Sequence, residues 1–332
     1  MSPRAARVWI TWERHRRSRG LSAALDATLY EINQGKGRLA RYASNTLATL
    51  GILFRARGAV VLVQSPSIVL ANLATSFGRL AGVKVVVDAH NGGIDPLDGK
   101  SRVLTRLARR ALRKSDLVIV TNAALAQQVE GFGARAFVLP DPMPDFPAAR
   151  AENGQDSRAS SRRVVAICTW ASDEPFMELI QAASLLPPGC ELAITGRPRL
   201  SARQQAALPA NVRLTGFVSE ADYTQLLRMA DAIVDLTTRE NCLLCGAYEA
   251  ISVHKPLVVS DTAALRELLE DAAIYCANDA QSIATGITSA LERSADLKRA
   301  ALQRDVTLRT LWKKRCSELT ALLGSLTARS PK

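Results

Sequence analysis

Apolar, β-branched runs of three to five residues alternate with stretches of helical periodicity along the entire chain. In the first half these runs predict strands over residues 8–11, 60–64, 84–88, 117–121 and 136–139. In the second half they predict strands over residues 164–168, 191–195, 212–215, 232–236, 257–260 and 273–275. Strands separated by helices are typical of parallel sheets with helices on their faces. The pattern therefore predicts an α/β fold with two Rossmann-like domains, and two halves of similar size imply a cleft between them.

A change in composition separates the two series of strands. Residues 140–163 are rich in Pro, Ser, Gly and charge and poor in β-branched residues, which indicates a linker. We predict an N-terminal domain, a linker, a C-terminal domain and a final helix that could return to the N-terminal domain. These segments cover residues 1–145, 146–163, 164–305 and 306–332.

Composition excludes several classes of protein. The 332 residues are 48% hydrophobic and 22% charged, which is typical of globular proteins and not of disordered chains. Apolar runs fall short of the ~20 residues that span a bilayer, and the N-terminus has no hydrophobic signal core, so we expect a cytoplasmic protein. The six cysteines are scattered, which favours reduced thiols. Cys242 and Cys245 have ligand-like spacing but no partner pair, so they predict a buried structural pair and no metal site.

The excess of positive over negative charge lies entirely in the first half of the chain. Residues 1–150 hold 22 Lys and Arg against 10 Asp and Glu, whereas residues 151–332 hold 21 of each kind. A one-sided basic surface attracts phosphates on nucleic acid, on an anionic leaflet or on a soluble ligand. Two predicted helices, over 37–57 and 101–116, pair apolar stripes with arginines, so they could rest on an anionic membrane or pack on the sheet as ordinary helices.

The densest group of candidate site residues lies over residues 237–250, where a loop after a predicted strand turns into a helix. Such a turn exposes backbone N–H groups and the positive end of the helix dipole, which suits an anion. Glu249 lies about two turns into the helix, where its carboxylate can accept paired hydrogen bonds from the vicinal hydroxyls of a ribose. The residues of this loop whose backbone N–H groups we predict to contact the ligand are Asn241, Cys242, Leu243, Leu244 and Cys245.

This segment resembles the hallmark of family 4 glycosyltransferases, Pro-Ser-x-x-Glu-Gly-Phe-Gly-Leu-x-x-x-Glu-Ala, followed by Gly-x-Pro-Val-Val-x-(Ser/Thr). The similarity covers residues 164–270 well, including 211–218 and 229–232 in the family's order, and the first half more loosely. It implies the two-domain GT-B fold and transfer of a sugar, with retained configuration, from a nucleotide diphosphate sugar. It also implies that no metal or cofactor takes part and that Glu249 binds the ribose.

The chain departs from the family pattern at several donor-side positions. Asn241 stands where the family has its first Glu, which contacts the transferred sugar, and residues 242–244 replace Gly-Phe-Gly. The loop that begins at Thr169 and Trp170, which we expect to contact the sugar donor, lacks the family's diphosphate-binding Arg and Lys. We also expect Gly196 and Arg197 on the donor side, where Arg197 is a candidate to supply the missing charge.

In the first half, His90 follows a predicted strand and precedes Asn91 and two glycines. It resembles the family's histidine near the donor phosphate and sugar, which would orient the transferred sugar. Glu13, after the first strand, stands in place of the family's Gly-rich loop. We expect Glu13 and Asn91 on the acceptor side.

The resemblance favours a transferase that acts on a glycan or on a polyprenyl diphosphate-linked acceptor at the cytoplasmic face of the inner membrane, in exopolysaccharide or other surface glycan assembly. A second hypothesis is an epimerase-like or catalytically degenerate protein that binds a nucleotide sugar without transfer. A third, nucleic-acid binding by the basic half, has no zinc finger or aromatic-rich RNA-binding motif to support it, and we expect no nucleic-acid partner.

Overall fold

A computed structural model describes residues 7–33, 37–146 and 161–328. The chain divides into two compact units. Unit 1 comprises Met1–Pro142 and Thr310–Lys332, and unit 2 comprises Met143–Arg309. Most of the predicted linker, residues 147–160, lies outside the described residues, as do the last four residues of the predicted final helix.

Unit 1 contains a parallel six-stranded sheet with the order β2-β1-β3-β4-β5-β6. Its strands are β1 (Arg7–Thr11), β2 (Thr28–Glu31), β3 (Val60–Ser65), β4 (Lys84–Ala89), β5 (Leu117–Val120) and β6 (Ala136–Val138). The sequence pattern missed β2. This edge strand is short, and its residues alternate between exposed and half-buried, so it offers no apolar run to detect.

The helices of unit 1 connect these strands. They are α1 (Arg16–Ala24), α2 (Arg38–Arg55), α3 (Ile68–Ala81), α4 (Asn91–Ile94), α5 (Arg102–Lys114) and α6 (Ala123–Gly131). Both predicted arginine-rich helices are confirmed as α2 and α5. The hydroxyl of Ser101 caps α5 by accepting a hydrogen bond from the Leu104 amide, and Gly82 ends α3 with a left-handed φ of 69°.

Two hydrophobic cores cover the two faces of the unit 1 sheet. Val61 and Val63 of β3 belong to one core, and Val60 and Leu62 belong to the other, as the two-residue repeat of a strand requires. The second core also contains residues of α13, the last helix of the chain (Ser294–Ala328). From Thr310 onward α13 groups with unit 1, where it contributes Cys316, Leu319 and Leu323 to that core.

Unit 2 contains a second parallel six-stranded sheet, in the order β12-β11-β10-β7-β8-β9. Its strands are β7 (Arg162–Ala166), β8 (Cys190–Thr195), β9 (Val212–Gly216), β10 (Ala232–Asp235), β11 (Leu257–Ser260) and β12 (Ile274–Cys276). Its helices, besides the first part of α13, are α7 (Phe176–Ala183), α8 (Ala202–Ala206), α9 (Glu220–Met229), α10 (Cys245–Ser252), α11 (Ala263–Leu269) and α12 (Ala280–Glu292). The two sheets confirm the predicted fold class.

Two boundaries differ from the sequence prediction. Strand β7 begins at Arg162, inside the segment predicted as linker, because two arginines precede its apolar core and concealed the start of the strand. The final helix begins at Ser294 rather than at residue 306. Among the described residues, no helix combines the length and the apolar character that a membrane span requires.

Candidate functional site

The loop after β10 is fastened to the neighbouring strand ends of unit 2. The Thr237 amide donates to Ser260 Oγ at 2.9 Å, and the Ser260 hydroxyl donates to Asn278 Oδ1 at 2.7 Å. Asn278 Nδ2 in turn donates to the Thr237 carbonyl at 2.9 Å. One residue later, the Thr238 amide donates to the Asp173 carbonyl at 2.7 Å. Ligands of parallel α/β sheets bind at these carboxyl ends, so a fixed loop here can hold a ligand without first paying for its own ordering.

Helix α10 packs its first turn directly onto Asp235, the last residue of β10. The amides of Gly246 and Ala247 donate to the Asp235 carboxyl group. A Cβ on Gly246 would overlap with Asp235 Oδ2 and would lie 2.6 Å from Ile167 Cδ1, so only glycine permits this approach. The predicted anion-binding end of the helix is therefore partly occupied by the chain's own carboxyl group. The sequence pattern had treated Asp235 only as a strand residue.

Burial raises the pKa of Asp235 well above its usual range, and the nearby carboxylates of Glu174 and Glu249 raise it further. A carboxyl group with a raised folded-state pKa binds its proton more tightly in the folded than in the unfolded chain. Stability is therefore lost as the pH rises from the unfolded value, near 3.8, toward the folded value.

We expect Asp235→Asn to remove this pH dependence, because the amide oxygen can still accept from α10 and cannot ionise. The gain in the free energy of unfolding over wild type should grow with pH, by up to about 1.4 kcal/mol per pH unit inside the titration window. Urea unfolding of both proteins at pH 5 and pH 8 measures it. Equal differences at the two pH values would contradict the burial of an ionisable proton at Asp235.

Glu249 lies on α10, half-buried, with its carboxylate held by a residue from another helix. Tyr223 of α9 donates its hydroxyl proton to Glu249 Oε2 at 2.5 Å. Burial and the charge of Glu249 raise the pKa of Tyr223, so the phenol stays a donor. Sequence reasoning missed Tyr223 because it is 26 residues from Glu249 and belongs to no motif. The contact depends on how α9 and α10 pack on the sheet.

A second carboxylate, Glu174, organises the loop after β7. It accepts hydrogen bonds from the Thr169 hydroxyl at 2.6 Å, the Ala171 amide at 3.2 Å and the Cys168 thiol at 2.9 Å. It also accepts from the amide of Thr169, at 3.0 Å. Burial and Glu174 raise the pKa of Cys168. Thr169, predicted to bind a donor, therefore has both its amide and its hydroxyl engaged by Glu174.

The structure corrects the role expected for the Trp170 side chain. The indole is 1% exposed, packs on Phe176 and donates from Nε1 to the Thr195 carbonyl at 2.9 Å. The backbone of Trp170 has a left-handed φ of 62°, and this turns the ring into the core. Gly196 faces the same loop with φ 82°, and a Cβ there would overlap with the Cys168 carbonyl. The Trp170 ring is therefore part of the core of unit 2 and is too buried to contact a ligand.

The remaining predicted donor-side residues lie at the surface of unit 2. Arg197 is exposed, with its guanidinium 5.8 Å from the centroid of the Phe217 ring, which is 79% exposed. Asn241, Cys242, Leu243 and Leu244 are half-buried and Cys245 is exposed. The expected burial of the cysteine pair is therefore wrong, because Cys245 begins α10 on its outer side. No group of three metal-ligating side chains occurs within residues 7–33, 37–146 and 161–328.

In unit 1 a buried arginine links the elements around His90. Arg17 of α1 donates to Asp88 from Nε and Nη2 at 3.0 to 3.2 Å, and from Nη1 to Asp141 at 2.7 Å. His90 Nε2 lies 3.6 Å from Asp88 Oδ2, and the His15 and His90 ring centroids are 5.8 Å apart. Despite its burial, Asp88 has its pKa lowered by Arg17 and His90. Arg17 had no place in the sequence prediction, because an arginine in a basic segment gives no sign of burial.

The structure places the other unit 1 candidates around the same strand ends. His90 immediately precedes α4, Asn91 begins it and is half-buried, and Glu13 is exposed in the loop after β1. Gly93 permits the close turn, because a Cβ there would lie 3.0 Å from the Ser65 carbonyl oxygen and closer still to the Ser65 side chain. The structure thus gathers one candidate group in each unit, around His90 in unit 1 and around Glu249 in unit 2.

Comparison with protein families matches both units. The model for "Glycosyl transferases group 1" matches residues 162–293, and that for "Glycosyl transferase 4-like domain" matches residues 3–141. A search of curated proteins gave no match. Together the two family models cover most of the chain, and each unit is matched by one of them.

Solved structures match the chain along nearly its whole length. HepE from Anabaena, in complex with UDP, is 15% identical with a TM-score of 0.68, and the match covers 97% of this chain and 98% of HepE. Sucrose-phosphate synthase from Thermosynechococcus elongatus is 14% identical with a TM-score of 0.76, covering 98% and 100%. A UDP-forming α,α-trehalose-phosphate synthase from Burkholderia xenovorans, in complex with glucose-6-phosphate, is 13% identical with a TM-score of 0.69, covering 95% and 100%.

Two parallel six-stranded sheets of this order define the GT-B fold that these structures share. With a glycosyltransferase model matching each unit, the chain belongs to the group 1 and family 4-like glycosyltransferases. It is therefore an enzyme of the glycosyl-transferring class, as the hallmark around Glu249 predicted.

Proposed function

We propose that this enzyme transfers a sugar, with retained configuration, from a nucleotide diphosphate sugar to a phosphate-bearing glycan acceptor in surface polysaccharide assembly. The observation that carries the proposal is Glu249, half-buried on α10 and fixed by Tyr223 beside the loop at the carboxyl end of β10. UDP is the first nucleotide to test, because the HepE structures contain UDP and UDP-glucose.

Each proposed donor contact follows from its place in unit 2. Glu249 accepts the ribose hydroxyls, and Asn241, eight residues earlier, contacts the transferred sugar with its amide. Arg197 is exposed and supplies positive charge toward the diphosphate, together with backbone amides of residues 241–245. In this proposal the leaving diphosphate is stabilised by these groups and transfer requires no metal ion or cofactor. His90 of unit 1 orients the transferred sugar.

The proposed acceptor is linked to a lipid, and the surface of unit 1 supports this. Helices α2, α3 and α5 carry exposed apolar side chains, including Leu39 at 87%, Leu80 at 75% and Val103 at 65%. Exposed arginines lie on the same helices, among them Arg102 and Arg106. Apolar groups interspersed with cations match the interface of an anionic membrane. We propose that unit 1 binds the cytoplasmic face of such a membrane reversibly.

We expect the paired substitution Arg102→Glu and Arg106→Glu to weaken binding to phosphatidylglycerol vesicles by about 30-fold or more, since each basic residue contributes about 1 kcal/mol near an anionic surface. Co-sedimentation at low salt measures this, with phosphatidylcholine vesicles as the neutral comparison. Arg199→Glu and Arg203→Glu, two exposed arginines of unit 2, form the control pair. Equal losses for both pairs would show that only overall charge matters and would contradict a membrane-binding surface on unit 1.

The test of the proposed reaction is a transfer assay with purified enzyme, labelled UDP, GDP, ADP and dTDP sugars and a polyprenyl diphosphate-linked sugar in detergent. The proposal predicts a labelled lipid product whose new linkage has the anomeric configuration of the donor. Inversion of that configuration would contradict the retaining mechanism. Nucleotide binding without transfer to any acceptor would favour the second hypothesis, a protein that binds a nucleotide sugar without turnover.

A further inference from the structure

The hydrogen bond between Tyr223 and Glu249 joins α9 to α10, two helices of unit 2 that are separated by strand β10 in the sequence. Tyr223 projects from α9 and its ring packs against the hydrophobic core that also contains Ala247 and Tyr248 of α10. Its hydroxyl donates to Glu249 Oε2 at 2.5 Å. A half-buried phenol that ends on a carboxylate has both its apolar body and its polar tip satisfied. Tyr223 is therefore fixed by packing, and it can fix the carboxylate in turn.

A partner such as Tyr223 limits the movement of the Glu249 side chain. A glutamate side chain has three rotatable bonds, and it loses substantial conformational freedom when it is held in one rotamer. The buried carboxyl group of Asp235 and the carboxylate of Glu174 belong to the same electrostatic neighbourhood, because Glu249 and Glu174 both raise the pKa of Asp235. The raised pKa of Asp235 favours its neutral form, so the negative charge in this neighbourhood comes from Glu174 and favours a Glu249 side chain that turns toward water. The hydrogen bond from the Tyr223 hydroxyl opposes this movement by stabilising the Glu249 carboxylate in place.

We propose that Tyr223 is a positioning residue that sets the specificity of the donor site for ribonucleotides. It holds the Glu249 carboxylate in the orientation that receives two vicinal ribose hydroxyls. This inference rests on the proposed function, since it assumes that Glu249 binds the nucleoside. A carboxylate offers about four acceptor positions, so the bond from Tyr223 does not by itself prevent hydrogen bonds from a ribose.

The consequence of a fixed carboxylate is selectivity. An oriented group that accepts from two hydroxyls loses one partner when the 2′-hydroxyl is absent, and a rigid site cannot turn to compensate. A mobile carboxylate would instead adapt to a single hydroxyl. The wild-type enzyme should therefore favour UDP over 2′-deoxy-UDP, and this preference should depend on Tyr223. The phenol stays protonated because burial and Glu249 raise its pKa, so the preference should hold between pH 6 and pH 9.

The test is Tyr223→Phe, which removes one oxygen atom and keeps the ring. Tyr275→Phe is the matched control, because the Tyr275 hydroxyl also makes a short bond in unit 2, to the Glu270 carbonyl at 2.6 Å. Calorimetry gives the affinity of each protein for UDP and for 2′-deoxy-UDP, and thermal unfolding reports stability. We expect Tyr223→Phe to weaken UDP binding by about 10-fold, which is the lower end expected for loss of a hydrogen bond to a charged group. The same substitution should weaken 2′-deoxy-UDP binding by about 2-fold or less. Tyr275→Phe should change neither affinity.

Steady-state kinetics adds a readout that a merely structural role would not produce. In Tyr223→Phe the KM for the donor should rise while kcat at saturating donor stays within about 2-fold, because positioning affects ground state and transition state alike. Equal losses of UDP and 2′-deoxy-UDP binding would overturn the inference, as would unchanged UDP binding. Glu249→Ala distinguishes a wrong donor site from a wrong role for Tyr223. If that variant binds UDP like wild type, the proposed site is wrong; if it loses UDP binding while Tyr223→Phe does not, only the role of Tyr223 is wrong.

Discussion

Glu249→Ala is expected to weaken binding of UDP by about 100-fold, the loss that corresponds to two hydrogen bonds from ribose hydroxyls to one ionised carboxylate. The substitution removes the acceptor and leaves α10 intact, since alanine is the best helix former. Calorimetry with UDP measures the change directly. Catalytic efficiency with the preferred nucleotide sugar should fall at least as far.

The control for this variant is Glu267→Ala, an exposed glutamate on α11 of the same unit. It changes net charge equally and should leave UDP affinity within about 2-fold of wild type, as expected for a distant surface charge. Native circular dichroism for both variants would show that neither effect comes from unfolding. Wild-type affinity in Glu249→Ala would contradict the donor site.

Arg17→Met is expected to lower the free energy of unfolding by about 3–5 kcal/mol, because it leaves the carboxylate of Asp88 buried without its main partner. Arg17 and Asp88 have side chains that are 3% and 1% exposed, and three of the guanidinium contacts lie at 3.0 to 3.2 Å from Asp88. Urea unfolding measures the loss. The activity should fall as well, since Asp88 faces His90.

Arg19→Met supplies the control, because Arg19 makes two hydrogen bonds to Glu31, each of 2.8 Å and thus shorter than those between Arg17 and Asp88, but at the surface. Exposed ion pairs contribute only about 0–1 kcal/mol to the free energy of unfolding, so Arg19→Met should lose no more than that.

The loss of unfolding free energy in Arg17→Met should also become smaller in acid. In wild type the pKa of Asp88 is lowered, so its stabilisation is present above the unfolded value near 3.8 and is lost as pH falls through the folded value. Without Arg17, protonation relieves the buried charge, so equal losses at pH 4 and pH 7 would contradict this account.

The sequence predicted the secondary-structure elements that produce strong local patterns. Eleven of the twelve strands follow from apolar runs, whereas β2 gives no such run because it is half-exposed. The role of Glu249 is a prediction from its place in the helix after the loop and from the spacing of the hallmark. The structure adds that this carboxylate is half-buried and held by another side chain.

The parts that could not be predicted depend on contacts between distant segments. Tyr223, Asp235 and Glu174 lie apart in the sequence, and no local pattern shows that Tyr223 contacts Glu249 or that Glu174 and Glu249 both act on Asp235. Trp170 was misread for a related reason. Its place after a strand suggested a ligand contact, but a left-handed backbone turns the ring into the core. Arg17 is hidden in the same way, because burial of a charge depends on partners 71 and 124 residues away.

The central claim is that the carboxylate of Glu249 binds the ribose of an activated sugar. The most direct measurement is a cycle of four affinities, those of wild type and of Glu249→Ala for UDP and for 2′,3′-dideoxy-UDP. If the hydroxyls and the carboxylate bind each other, wild type loses about 100-fold on removal of the hydroxyls and the variant loses almost nothing. Equal losses in the two proteins would mean that the ribose is bound elsewhere, and the claim would be wrong.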